Sequence, residues 1–187
     1  MAESTRLFAE RGFHPTSVSD IVTSIGVGKG VFYWYFSGKE ELLARLLEAA
    51  QLDLRRRQDA AIGEEPDPVR RIELGIRASM QWFSEHRDSL TLFQFAATEE
   101  RFAPVLQTGQ EVAVDDLVRH LEEAIEAGRA VDQDPQIVAY AILGVVQQLA
   151  RTFLFSRDEP VERVADAAVA FCLHGLESSA VTASRAW

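Results

Sequence analysis

Residues 7–43, LFAERGFHPTSVSDIVTSIGVGKGVFYWYFSGKEELL, decide the reading of the fold. Gly12 stops a first apolar stripe that holds Leu7 and Phe8, and Pro15, Thr16 and Ser17 restart a helix whose free N–H groups the hydroxyls can cap. Val18, Ile21 and Val22 then recur at helical spacing and face inward, while Ser19, Asp20, Thr23 and Ser24 stay polar on the other side. Gly26 permits a sharp reversal. Gly28, Lys29 and Gly30 open a short helix bearing Val31, Phe32, Tyr33, Trp34, Tyr35 and Phe36, too aromatic for a fully buried turn and too short for a core helix. Two short amphipathic helices joined by a tight turn are a helix-turn-helix sequence. Phe8, Phe13, Ile21, Val27, Phe32, Phe36 and Leu42 form its expected core. Of Tyr33, Trp34 and Tyr35, one is expected to pack against the following helix while the others face outward.

Outward from this stretch, Gly and Pro punctuation divides the chain into further helices. One runs from Lys39 to about Ala61, ended by Gly63 and Pro66, and Asp67 caps the next, from Pro68 to about His86. A short helix at 89–98, an irregular region to Gln107, and a helix to Gly128 follow. Asp134 caps a helix from Pro135 to about Ser156. Pro160 opens the last, to about Ser178, and the residues beyond read as a frayed tail. Strict alternation of apolar and polar residues is absent, so the expected fold is all-α. No apolar run is read as approaching the ~20 residues that span a bilayer, and Met1 is followed by acidic and polar residues rather than a signal sequence. Neither a membrane partner nor an exported protein is expected; the location read from the sequence is cytoplasmic. The single Cys172 lies in a helical stripe with Ala168 and Phe171 and reads as packing.

The opening stretch resembles the TetR family of bacterial transcription regulators. The family pattern is LF-x-x-x-G-F, then T-S/T-V-x-x-I, G-V-x-x-G-x-x-Y-x-Y/H-F and K-E-x-L. It is met by Leu7, Phe8, Gly12, Phe13, Thr16, Ser17, Val18, Ile21, Gly26, Val27, Gly30, Tyr33, Tyr35, Phe36, Lys39, Glu40 and Leu42. The resemblance implies a DNA-binding domain over 1–45 and a helical ligand-binding and dimerisation domain over 46–187. It places Lys29, Gly30, Val31, Tyr33, Trp34 and Tyr35 on a recognition helix in the major groove of a double-stranded operator. Lys29 suits guanine edges or phosphate and the phenols suit phosphate oxygens. Thr16 and Ser17 at a helix N-terminus attract a phosphate, and Lys39 is expected as a second phosphate clamp. Gly28 and Val31 stand where the family often has Ser and a polar Thr or Asn, and Val31 suits a thymine methyl. The family usually carries a longer, often basic segment before the first helix; this chain begins almost inside that helix, so either the start is truncated or the arm is absent.

Charge divides the chain the same way. Residues 1–57 hold 8 Lys and Arg against 7 Asp and Glu, and the remainder 11 against 22, which gives the net −10. Such an acidic protein is not held on DNA by bulk charge, so local contacts and dimerisation must supply affinity. The run Arg55, Arg56, Arg57 is read as favouring the negative end of its helix. In the remaining helices Met80, Trp82, Phe83, Phe93, Phe95, Phe102 and Tyr140, beside Gln147 and Gln148, are the mix that lines small-molecule pockets, though an all-helical domain needs large core residues in any case. The resemblance implies a small-molecule inducer site there. It also implies a homodimer through the last two helices, with Leu149, Phe153, Val164, Ala168, Phe171 and Cys172 at the interface.

His14, His86, His120 and His174 fall in no metal-binding helical pattern, and there is no G-x-S-x-G elbow or phosphate-binding glycine loop, so neither enzyme chemistry, metal nor cofactor is expected. The sequence therefore reads as a repressor on a palindromic operator, released by a small apolar or aromatic molecule. The alternative is a helical small-molecule-binding protein whose DNA contact is weakened.

Overall fold

The computed structural model describes residues 1–176, and among them there are nine α-helices and no strand. They form two compact units. The first comprises Met1–Asp53 and His86–Gln110; the second comprises Leu54–Glu85 and the described residues from Glu111 on. The segment 86–110 thus packs with the helix-turn-helix.

In the first unit, α1 (Ala2–Arg11) ends at Gly12, and α2 (Val18–Ile25) starts on a complete capping box. The Ser17 hydroxyl accepts from the Asp20 N–H at 3.1 Å, and the Asp20 carboxylate accepts from the Ser17 N–H at 2.9 Å. The Ser17 hydroxyl also donates to that carboxylate, and this bond foremost, then the one from the Ser17 N–H, holds the Asp20 carboxyl below its usual range. Gly26 sits at φ 71°, ψ 30°, the left-handed conformation that closes α2 and that a side chain would strain. The helices α3 (Lys29–Tyr35) and α4 (Lys39–Ile62) follow.

One apolar core joins these helices. It contains Leu7, Phe8, Phe13, Ile21, Val22, Phe32, Leu42, Leu43, Leu46 and Leu47, together with Leu92 and Ala96 of α6 (Arg87–Ala96) and Phe102 of a short 3-10 turn. Phe13 stacks on Phe95 at 5.2 Å and meets Phe102 edge-on at 5.8 Å. The expected irregular region to Gln107 is mostly helical, because α7 (Ala103–Glu126) starts on Pro104 in its first turn, where the missing N–H costs no hydrogen bond. Val27, expected in the core, points outward from the turn, and Phe36 is only partly buried.

In the second unit, α5 (Pro68–Glu85) packs on α9 (Val161–Leu176), and α8 (Pro135–Leu149) packs on both. The Asp134 side chain caps α8 by accepting from the Gln136 and Ile137 N–H groups. The single helix expected to Ser156 instead changes after Leu149 into a π-helical stretch, Ala150–Phe155. Pro135–Phe155 is, against the sequence reading, one helical run long and apolar enough to cross a membrane, with mean hydropathy 1.5 and only 28% of it buried. Gln147, Gln148 and Arg151 interrupt it, which is why a scan for uninterrupted apolar runs passes over it. The expected helix end at Ser178 and the tail lie outside the described residues.

Candidate functional site

The helix α3 buries Phe32 alone and turns the rest of its side chains out. Trp34 is 79% exposed, Tyr35 63%, Tyr33 56% and Val31 49%, so none of the three rings packs into the following helix as expected. Trp34 and Tyr35 meet edge to face at 4.8 Å, which orders them relative to each other outside the core. With Ile25 and Val27 in the turn, these residues form a run of exposed large apolar side chains over 25–35, and such a patch marks a contact surface.

Lys29 and Gly30 are exposed at the start of the same helix. Among the basic side chains of residues 1–46, Arg6 is held by Glu3 and Glu10, Arg11 lies 4.0 Å from Asp20, and Arg45 pairs with Glu48. Lys29 alone among them stands free to meet an anion.

Two expected phosphate contacts are already used inside the fold. The Lys39 ammonium donates to the carbonyls of Phe13 at 2.8 Å, His14 at 3.0 Å and Thr16 at 3.1 Å, and lies 4.5 Å above the Phe13 ring. All three of its N–H donors are engaged, so Lys39 is a clamp on the α1–α2 loop rather than on phosphate. Thr16 is 1% exposed and its hydroxyl donates to the Gly12 carbonyl at 2.7 Å, which removes it from any outer surface. Ser17 is exposed at the start of α2, but its oxygen is engaged by Asp20. A further network on this unit escaped the sequence: Glu99 accepts from Arg101 at 2.8 Å and lies 3.3 Å from His14 Nε2. Residues 85 apart in the chain carry no local signal of such a contact.

The residues expected to line an inducer pocket are divided between the two units. Met80, Trp82 and Phe83 are buried in the second unit, where Trp82 meets Phe83 edge-on at 5.5 Å. Phe102 belongs to the core of the first unit and Phe93 and Phe95 pack against it, because α6 folds onto α1. Tyr140, Gln147 and Gln148 are exposed on α8, so neither glutamine points inward. Phe95 also lines a recess of about 80 Å3 in the first unit with Phe8, Phe13, Leu43 and Leu92. The second unit holds one polar pair that periodicity missed: Arg71 is 3.3 Å from His120 Nδ1 and pairs with Glu123, while its Nε is buried without a partner. Burial foremost, then the Arg71 charge, hold the His120 pKa below its usual value.

The expected dimer face is also redrawn. Val164, Ala168 and Cys172 are buried on the side of α9 that packs within the chain, and burial pushes the Cys172 thiol up to about 11. Leu149 and Phe153 are half-buried. Phe171 is 68% exposed at the edge of that buried face of α9, and α8 adds exposed Ile137 and Tyr140, two residues the sequence did not single out for this role. Arg55 and Arg57 are engaged by Asp116 and Glu85, so the arginine run serves ion pairs rather than its helix end. Among the described residues no cluster of His, Cys, Asp and Glu is placed to hold a metal ion.

Two family models match the chain: bacterial regulatory proteins of the tetR family over residues 1–46, and the tetracyclin repressor-like C-terminal domain over residues 65–176. The chain is similar to the HTH-type transcriptional regulator YdgC of Bacillus subtilis, at 26% identity over 178 residues that cover 90% of this chain and 86% of the relative. It is similar to the HTH-type transcriptional activator FasR of Mycolicibacterium smegmatis at 25% identity, covering 97% and 83%. Among solved structures, the TetR family regulator PfmR of Thermus thermophilus superposes with a TM-score of 0.77 at 26% identity, over 94% of this chain and 97% of that one.

Proposed function

The chain belongs to the TetR family of bacterial transcription regulators, with a DNA-binding helix-turn-helix head and a ligand-binding helical domain, and from that premise we propose that it is a repressor. In this reading it binds a palindromic operator as a homodimer in the cytoplasm and leaves the DNA when a small apolar or aromatic molecule enters the second unit. The observation that carries it is the outward face of α3: a folded helix buries one side chain and presents Lys29, Gly30, Val31, Tyr33, Trp34 and Tyr35.

Phe171 with Ile137 and Tyr140 supports self-association, since exposed apolar side chains on packed helices are covered in a stable assembly. A two-fold dimer would set its two recognition helices about one DNA turn, roughly 34–36 Å, apart. Met80, Trp82 and Phe83 are the apolar residues proposed to meet the inducer. The helix α4 contributes residues to Asp53 to the first unit and from Leu54 to the second, which suits it to carry a ligand-driven shift between them.

One observation favours the rival, a ligand-binding protein with weakened DNA contact: Lys39 and Thr16 are occupied within the fold. Selection of random duplexes by the purified protein at physiological salt separates the two. An enriched inverted repeat supports the regulator, and retention of no sequence supports the rival. The sign follows from a reporter behind the selected operator, whose output rises on deletion of the gene for a repressor and falls for an activator.

A further inference from the structure

The face that α3 turns outward has an unusual chemistry for a reader of bases. At about 100° per residue, Trp34 stands roughly opposite the buried Phe32, with Gly30 one turn before it on the same line and Val31 and Tyr33 on the two shoulders. Lys29 and Tyr35 fall on the flanks nearer the core, where a groove-bound helix meets the sugar-phosphate walls. The centre of the face therefore holds none of the side chains that read bases bidentately: α3, KGVFYWY, contains no Arg, Asn, Gln, Asp or Glu. Gly30 adds a second observation. A Cβ there would meet no atom of the chain within 4 Å, so packing does not require a glycine at a helical position where it costs stability. The space it leaves is on the same face one turn before Trp34, the direction in which helical side chains lean.

An apolar face in the major groove has one apolar counterpart on the base edges, the C5-methyl group of thymine. Resting on the DNA-binding reading above, we propose that this chain selects its operator through thymine methyl groups, seated between Val31 and the Trp34 ring in the gap over Gly30. Sequence selection is then carried by hydrophobic contact, with Lys29 and the tyrosine hydroxyls supplying register on the phosphates.

The test replaces thymidine by deoxyuridine, one position at a time, in the duplex that the wild-type protein selects; base pairing is unchanged and a single methyl is lost. Wild-type affinity should fall about fourfold for each seated methyl, the loss expected from exposing one such group to water, at one or two positions per half-site. The sensitivity at those positions should vanish in Val31→Ala or Trp34→Ala, whose sites are exposed and whose folding is therefore unaffected. If every deoxyuridine duplex binds as tightly as its parent, or the selected half-site lacks thymine, the methyl reading is overturned while the regulator reading stands. Sensitivity that persists unchanged in both variants overturns it as well. If no duplex is selected at all, both readings fall together.

Discussion

Replacing Lys39 by Met removes the ammonium and keeps the length and apolar stem of the side chain, so the substitution isolates what the charge does. It leaves the carbonyls of Phe13, His14 and Thr16 without their shared donor, at present 2.8, 3.0 and 3.1 Å away, and ends the cation contact with the Phe13 ring. A hydrogen bond from a charged donor contributes about 1.5–3 kcal/mol. One ammonium serves three partly hydrated carbonyls, so the total loss should be about 2–4 kcal/mol rather than three full bonds. At roughly 2–4 °C per kcal/mol for a chain of this length, Tm should fall by about 5–15 °C in a thermal melt followed by circular dichroism. A phosphate clamp would behave oppositely: Tm would hold, and the slope of log affinity against log salt would flatten by about 0.9 for each protomer's lost contact. The structure predicts a lower Tm and an unchanged slope for the folded fraction. An unchanged Tm with a flattened slope would refute the assignment of Lys39 to the loop.

The other expected outcomes concern the second unit and the packing of the first. Phe171→Asp should convert the proposed dimer to a monomer in sedimentation velocity with its helicity intact, whereas Val164→Asp, at a buried position of the same helix, should unfold the unit. Gly109→Ala would place a Cβ against the far end of the Gln51 side chain, whose amide must then leave the Val105 carbonyl it now reaches at 3.3 Å. Gln51 can swing aside, and the lost hydrogen bond, about 1 kcal/mol, is offset by the helix preference of Ala over Gly, also about 1 kcal/mol, so stability in urea unfolding should change by less than about 1 kcal/mol. His120 is held neutral in the folded chain, so the unfolded chain takes up a proton first as pH falls. Its contribution lowers stability from about pH 7 downward through the ordinary value of 6.5 and levels off below the folded pKa. His120→Gln should therefore reduce the drop in urea midpoint between pH 7.5 and 5.5.

The helices were legible because their signals are local. Ser17, Gly26, and Asp134 before Pro135 each fix a helix end through contacts within four residues, and each occurs where the sequence marks it; the return bond from Ser17 N–H to Asp20 does not follow from that marking. The apolar pattern also marks that Phe95, Phe102, Val164, Ala168 and Cys172 face some interior. Periodicity gives a residue's angle on its helix and not the neighbour it meets, so it could not say which interior. The ring contact of Phe13 with Phe95 joins residues 82 apart, and only the folding of α6 onto α1 brings them together. Lys39 failed for the same reason: its partners lie 23 to 26 residues earlier, in a loop whose position depends on the tertiary fold.

These misplacements have a common physical consequence for how the head can hold DNA. A chain of net charge −10 has no long-range field to draw it to a polyanion, and within residues 1–46 the fold neutralises or occupies every basic side chain except Lys29. A two-fold dimer would thus bring about two unengaged lysines to the duplex, for a slope of roughly −2 in log affinity against log salt. What the head has in place of charge is apolar area, on a helix whose only buried residue is Phe32. Apolar contact does not weaken with salt through counterion release, so non-specific binding, which depends on phosphate, should be poor while operator binding persists. Weak attraction to bulk DNA and selective attraction to methyl-bearing edges then arise from the same arrangement of side chains, the cations turned inward or paired and the aromatic residues turned out.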